Sequence, residues 1–287
     1  MNILDDLKLQ YRLGGIAIRV IYWNIACFLI SLVFFWPNFT GAFAFPNWLA
    51  LSSDPQVFLF RPWTFLTYAF FHFDFWHLLF NMVILNFAST LFLTYFTQKQ
   101  FLGLYVLSAV FAGVVFALSF YFLDFSAPIV GASAVIMALL VAATTYQPLM
   151  PVRLMFLGSV KLWHITAVIL VLNLVQLRSD NMGGQISHLA GAFFGFAYIK
   201  LLQNGTDLSI IITRIIDFFF NLFKKSPSTP FKKVYRNYPK PTEKIPSRVV
   251  MKDKTQQQID EILDKIGKSG YDCLTKEEKE FLLKAGK

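Results

Sequence analysis

Six times between residues 17 and 202 the sequence runs for about the width of a bilayer without a single Asp or Glu, at roughly 17–36, 76–97, 101–123, 131–146, 162–177 and 187–202. In hydrocarbon each backbone N–H and C=O must be satisfied inside the segment that carries it, so runs of this kind are helices. The expected fold class is an all-α polytopic membrane protein, a six-span helical bundle. Between the first two runs, residues 37–75 hold several prolines and tryptophans but no second apolar run of that length, which suggests a large loop partly embedded at the interface.

Charge divides the rest of the chain. Residues 1–223 carry 10 Lys/Arg and 8 Asp/Glu, whereas residues 224–287 carry 16 and 9. Most of the formal net charge of +9 therefore lies in a polar tail. A basic tail beside a membrane is explained by attraction to anionic headgroups, and no nucleic-acid partner is expected. The domain reading is an amphipathic N-terminal segment at 1–16, the six-span region at 17–203 and an interfacial amphipathic helix at 204–225. A basic, proline-containing linker at 226–255 and a small helical tail at 256–287 follow. The two cysteines, Cys27 and Cys273, imply no disulfide framework.

Orientation follows from the basic residues. In a six-span arrangement Lys8, Arg12, Arg19, Lys99, Arg153, Lys161 and Lys200 fall on one side and only Arg61 and Arg178 on the other. Both termini are thus expected to be cytoplasmic. The second, fourth and sixth spans then begin on the outer side.

Those three spans carry the chain's unusual polar residues near their starts. The second opens with His72-Phe73-Asp74-Phe75-Trp76-His77 and Asn81, the fourth with Gly131-Ala132-Ser133-Ala134, and the sixth with Ser187-His188-Leu189-Ala190-Gly191 and Gly195. Ser133 alone has a plain explanation as a helix N-cap. Together with His188 it makes a nucleophile and base, and ionisable side chains inside a membrane are costly enough that they usually mark function. No carboxylate lies in a span to complete a triad, so the expected catalyst is a Ser133-His188 dyad. His77 and Asn81, spaced i, i+4, share a face of the second span. Gly191 and Gly195 share a face with His188, and Ala134, Ala138 and Ala142 form a matching small stripe on the fourth span, so those two helices are expected to approach closely.

On four ordered pieces the sequence resembles the rhomboid family of intramembrane serine proteases: Arg61-Pro62-Trp63 leading to Thr67-Tyr68, the His72/His77/Asn81 run, Gly131-x-Ser133, and His188-x-x-Gly191-x-x-x-Gly195. The resemblance covers roughly residues 61–200. It implies a rhomboid-like bundle, Ser133 and His188 as catalytic residues, and His77 with Asn81 as oxyanion donors. Substrates would be single-span transmembrane proteins cut near the outer face through an acyl-enzyme. Gly131, Gly191, Gly195 and His72 would be structural neighbours of the site. Ala134 and Met137 depart from the family pattern, where a glycine and a tyrosine are common.

Other intramembrane chemistries lack their residues: residues 1–223 contain no Glu, hence no HExxH zinc helix, and no span contains the paired Asp of an aspartyl protease. No metal or cofactor is expected. The alternative within the same resemblance is a non-enzymatic rhomboid-like protein that binds or escorts transmembrane clients. The tail resembles C-terminal appendages of some bacterial rhomboids, which suggests a bacterial plasma membrane.

Overall fold

A computed structural model describes residues 2–35, 48–123, 126–154, 158–178, 181–223 and 254–285. The chain divides into two compact units between Lys225 and Ser226. Nearly all of the expected 226–255 linker lies outside the described residues, as does part of the 37–75 loop.

The first unit is built around a short apolar helix, Ser133–Tyr146. α1 (Ile3–Leu13) is followed by α2 (Ile16–Phe35), the short α3 (Pro55–Phe58) and α4 (Thr64–Thr67), then α5 (Phe75–Leu93), α6 (Gln98–Phe122), α7 (Ser133–Tyr146), α8 (Leu162–Val175), α9 (Met182–Gln203) and α10 (Ser209–Phe223). α7 is the hub, because every residue from Ala134 to Ala143 is buried among α5, α6, α8 and α9. Its 14 residues span about 21 Å, against about 30 Å of hydrocarbon. A helix that short begins below the membrane surface if its other end reaches the opposite one. α2, α5 and α6 are each long and apolar enough to cross a bilayer, while α7 and α8 are apolar but shorter. Outward-facing residues on these helices, such as Val33, Val83, Leu118, Val171 and Phe193, are apolar and exposed, as a lipid-facing surface requires.

Local chemistry sets where the helices start. Thr97 and Gln100 form a reciprocal capping box at the head of α6. Asp74 caps α5 by accepting the backbone N–H of His77 at 2.8 Å, and Asn181 caps α9 by accepting that of Gly184 at 3.2 Å. The sixth apolar run therefore starts its helix at Met182, five residues before the sequence-based boundary, and His188 sits in the second turn rather than the first. Gly183-Gly184 disfavours helix locally. Packing overrides that preference, since a side chain at Gly183 would collide with the Phe116 ring of α6.

The loop before α5 is bound to the bundle by its polar atoms. Tyr68 donates its hydroxyl to the carbonyl of Ala109 at 2.9 Å, and Tyr105 donates to that of Ala69 at 3.3 Å. A two-residue ladder pairs β1 (Leu51–Ser52) with β2 (Pro128–Ile129), so this loop also holds the connection that leads into α7. Leu59, Phe60 and Trp63 of the loop are exposed.

A hairpin of β3 (Pro151–Leu154) and β4 (Gly158–Lys161) joins α7 to α8. α10 seats on α6 through Ser209, which packs against Gly103. Asp207 receives Gln100 Nε2 at 3.2 Å and the Ser209 N–H at 2.8 Å, joining the start of α10 to the head of α6.

The second unit contains α11 (Lys254–Ser269) and α12 (Lys276–Ala285). Thr275 and Glu278 form the capping box of α12, and Lys265 reaches Glu278 at 2.8 Å. The hydrogen bond from Lys265, with that from the Thr275 backbone, holds the Glu278 carboxyl below its usual range. Ile262 and Leu274 are buried, whereas Leu263 and Leu283 stay exposed.

Candidate active site

At the end of the bundle where α5, α7 and α9 begin, a cavity of about 730 Å³ is lined by Phe73, Asp74, His77, Asn81, Ser133 and His188, with residues of the β2 segment and the start of α9. Ser133 is the first residue of α7. Ala132, not Ser133, occupies the cap position. The serine Oγ lies 2.6 Å from Nε2 of His188. The N-cap explanation for this serine is therefore set aside by its partner.

Two glycines on α9 make that distance attainable. A methyl group at Gly191 would run into the carbonyl oxygen of Ala134, and one at Gly195 into that of Ala138. The α7 and α9 backbones are thus in direct contact below the site. Gly131 has a different role: at φ 131° it adopts a conformation other residues rarely take, and a side chain there would meet the His77 ring at 2.9 Å. The N–H of Gly131 donates to the carbonyl of Tyr68 at 2.9 Å, so the turn before Ser133 is tied to the loop preceding α5.

On α5, His77 Nδ1 accepts the backbone N–H of Phe73 at 3.3 Å. A neutral ring with Nδ1 as acceptor carries its proton on Nε2, which lies on the edge facing Gly131 next to Ser133. Asn81 is buried and donates one amide proton to the carbonyl of His77 at 2.8 Å. Its second amide proton is not used by that bond. His72 is 1% exposed, packs edge-on against the His77 ring at 5.1 Å, and has no hydrogen-bond partner for either ring nitrogen among the described residues. Burial, reinforced by His77, pushes its pKa down to about 3. His164, by contrast, lies near the start of α8, exposed beside Trp163 and away from the cavity.

One residue of the cluster escapes sequence reasoning. Asn173 on α8 places Oδ1 2.7 Å from Nδ1 of His188. The only signal was that of an amide in a largely apolar span, and nothing in its spacing points to a histidine fifteen positions later. Met137, one turn below Ser133, packs instead with Val141 and Ala192. No group of three or more His, Cys, Asp or Glu that could hold a metal occurs among the described residues.

A serine hydroxyl hydrogen-bonded to an imidazole, at the edge of a cavity with further N–H donors, is an arrangement able to support acyl transfer. Comparison with known proteins gives this geometry its context. Residues 60–204 match the rhomboid domain model, and residues 250–284 match a family of unknown function, DUF6576. A search of curated proteins found no match. The rhomboid match takes in α5 to α9 and every residue of the cluster, and it extends over just over half of the chain: this integral membrane protein belongs to the rhomboid family.

Proposed function

We propose that the protein is an active intramembrane serine endopeptidase that cuts single-span transmembrane proteins near the outer face of the bilayer. The observation that carries this reading is the 2.6 Å contact between Ser133 Oγ and His188 Nε2. Rhomboid membership alone does not decide it, because the family includes inactive members. In the proposed reaction His188 Nε2 takes the hydroxyl proton as Ser133 Oγ attacks the scissile carbonyl. The same proton goes to the departing amine as the C–N bond breaks, leaving an acyl-enzyme. Water then enters with His188 as base, and the carboxylic acid product leaves with Ser133 restored. His77 Nε2, Asn81 Nδ2 and the backbone N–H of Ser133 supply donors for the oxyanion.

The bundle is read as six spans, α2 and α5 to α9, with the loop before α5 embedded in the outer leaflet and both termini cytoplasmic. A transmembrane helix hides its carbonyls in its own hydrogen bonds, so a substrate must unwind locally before attack. The proposed setting is a bacterial plasma membrane. The deciding experiment is labelling of the purified protein with a serine-reactive fluorophosphonate, with Ser133→Ala as the control. Labelling of wild type alone supports the enzyme; binding of transmembrane clients without labelling or cleavage supports the escort reading instead.

Two expectations test the parts. Removing a single oxyanion donor typically costs about 2.7–4 kcal/mol in the transition state. Asn81→Ala should therefore lower kcat by about 10²- to 10³-fold while part of the probe labelling survives, and His77→Ala should behave alike. Wild-type rates in both would assign the pair to helix packing. The second expectation concerns the tail. Truncation after Lys225 should leave cleavage in detergent unchanged, since every residue of the cavity belongs to the first unit. A truncated protein that folds but no longer turns over would show that the tail acts on the site.

A further inference from the structure

We infer that Asn173 is a positioning residue for the reaction, holding His188 in the tautomer that can accept the serine proton; the inference rests on the proteolytic reading of the site. An imidazole that accepts from Ser133 at Nε2 must carry its proton on Nδ1 while neutral. That proton needs an acceptor. Asn173 Oδ1, 2.7 Å away, supplies it. The amide cannot be turned over without loss, because Nδ2 of Asn173 donates to the carbonyl of Ile169 at 2.8 Å and so directs Oδ1 at the ring. Each of the two ring nitrogens thus has one partner, and the partners come from different helices.

The placement of this acceptor also gives α8 a part in catalysis. Only three of its 14 residues are buried, Leu162, Thr166 and Asn173, and two of those are polar. Thr166 meets Thr144 of α7 at 2.6 Å near one end, and Asn173 meets His188 near the other. Ile165, Ile169 and Leu170 of α8 also pack against the bundle, and the Leu162 and Trp163 N–H groups donate to the carbonyls of Met150 and Pro148. The orientation of the His188 ring thereby depends on where α8 sets Asn173.

The test compares Asn173→Leu and Asn173→Asp with wild type in detergent, measuring kcat and KM on a transmembrane substrate across pH, thermal stability and fluorophosphonate labelling. Leucine keeps the branching at Cγ and removes the acceptor. Its expected effect is a fall in kcat of at least about 10-fold, because a base without its orienting partner spends part of its time in the wrong tautomer, with KM within about twofold. Aspartate restores the acceptor and adds a negative charge, which favours the imidazolium. It should recover turnover, with the rising limb of kcat/KM displaced to higher pH. The other ionisable side chains on the cavity are Asp74 and His77. Those on α7 and α8, Tyr146 and His164, lie at the far ends of their helices, so the displacement reports on the new carboxylate. Thr166→Val, which removes the side-chain bond to Thr144 of α7, should lower stability without moving the pH profile.

Wild-type kcat in Asn173→Leu overturns the inference, and so does a loss that Asn173→Asp fails to recover, since packing alone would then account for it. If the leucine variant does not fold, Asn173→Ala takes its place with the same expectations. Wild type that neither labels nor cleaves would overturn the proteolytic reading and this inference with it. Wild type that cleaves beside an equally active leucine variant overturns this inference alone.

Discussion

Ser133→Ala is expected to lose turnover by on the order of a millionfold, because removing the nucleophile of a serine hydrolase also disables the base that serves it. His188→Ala should lose about as much, and the double variant scarcely more. Non-additivity of that kind marks two groups acting in one step. Neither substitution should unfold the protein. Ser133 is not the cap residue of α7, and the α7-α9 contact is made by backbone and small residues below it. Cleavage of a transmembrane substrate, read together with fluorophosphonate labelling and a melting curve, checks all three statements. Retained turnover in a clean Ser133→Ala preparation would falsify the mechanism.

Gly191→Leu is expected to be the most damaging change that leaves every reacting group in place. A side chain at this position meets the Ala134 carbonyl, so α9 must move away from α7 to admit it. Overpacking of this kind costs about 1–3 kcal/mol of stability. Its effect on rate is larger. Ala134 directly follows Ser133 and Gly191 lies three residues after His188, so the displacement falls on the 2.6 Å contact itself. A misplacement of about 1 Å costs on the order of a hundredfold. Phe193→Leu, on the exposed face of the same helix, should change neither stability nor rate appreciably. Ala192 is not a suitable control despite its position, because it is buried against Met137 and Val141. Unchanged turnover and melting in Gly191→Leu would remove the packing basis of the dyad.

Much of the site was legible because polar residues in apolar runs are few. His77, Asn81, Ser133 and His188 stand out for that reason, and the small residues at 134, 138, 191 and 195 identify which two helices approach closely. The start of α9 was not legible, because Gly183-Gly184 reads as a break until Phe116 is seen to fill the space beside it. The fit of Gly131 against the His77 ring was equally hidden. Its left-handed backbone suits a turn, but the ring beside it belongs to a helix more than fifty residues earlier.

What the sequence determined by itself follows from short-range physics. Backbone groups in hydrocarbon must pair within their own segment, so the apolar runs specify helices, and the cost of burying polar groups singles out the few that are present. What only the tertiary structure decided is which of those polar groups meet. The contacts of His188 with Ser133 and with Asn173 depend on how α7, α8 and α9 are rotated and how closely they cross. A rotation of one residue about a helix axis turns a side chain by about 100°. Hydrophobic periodicity is nearly uniform around these spans and does not specify that rotation; glycine-to-carbonyl contacts and a few buried hydrogen bonds do.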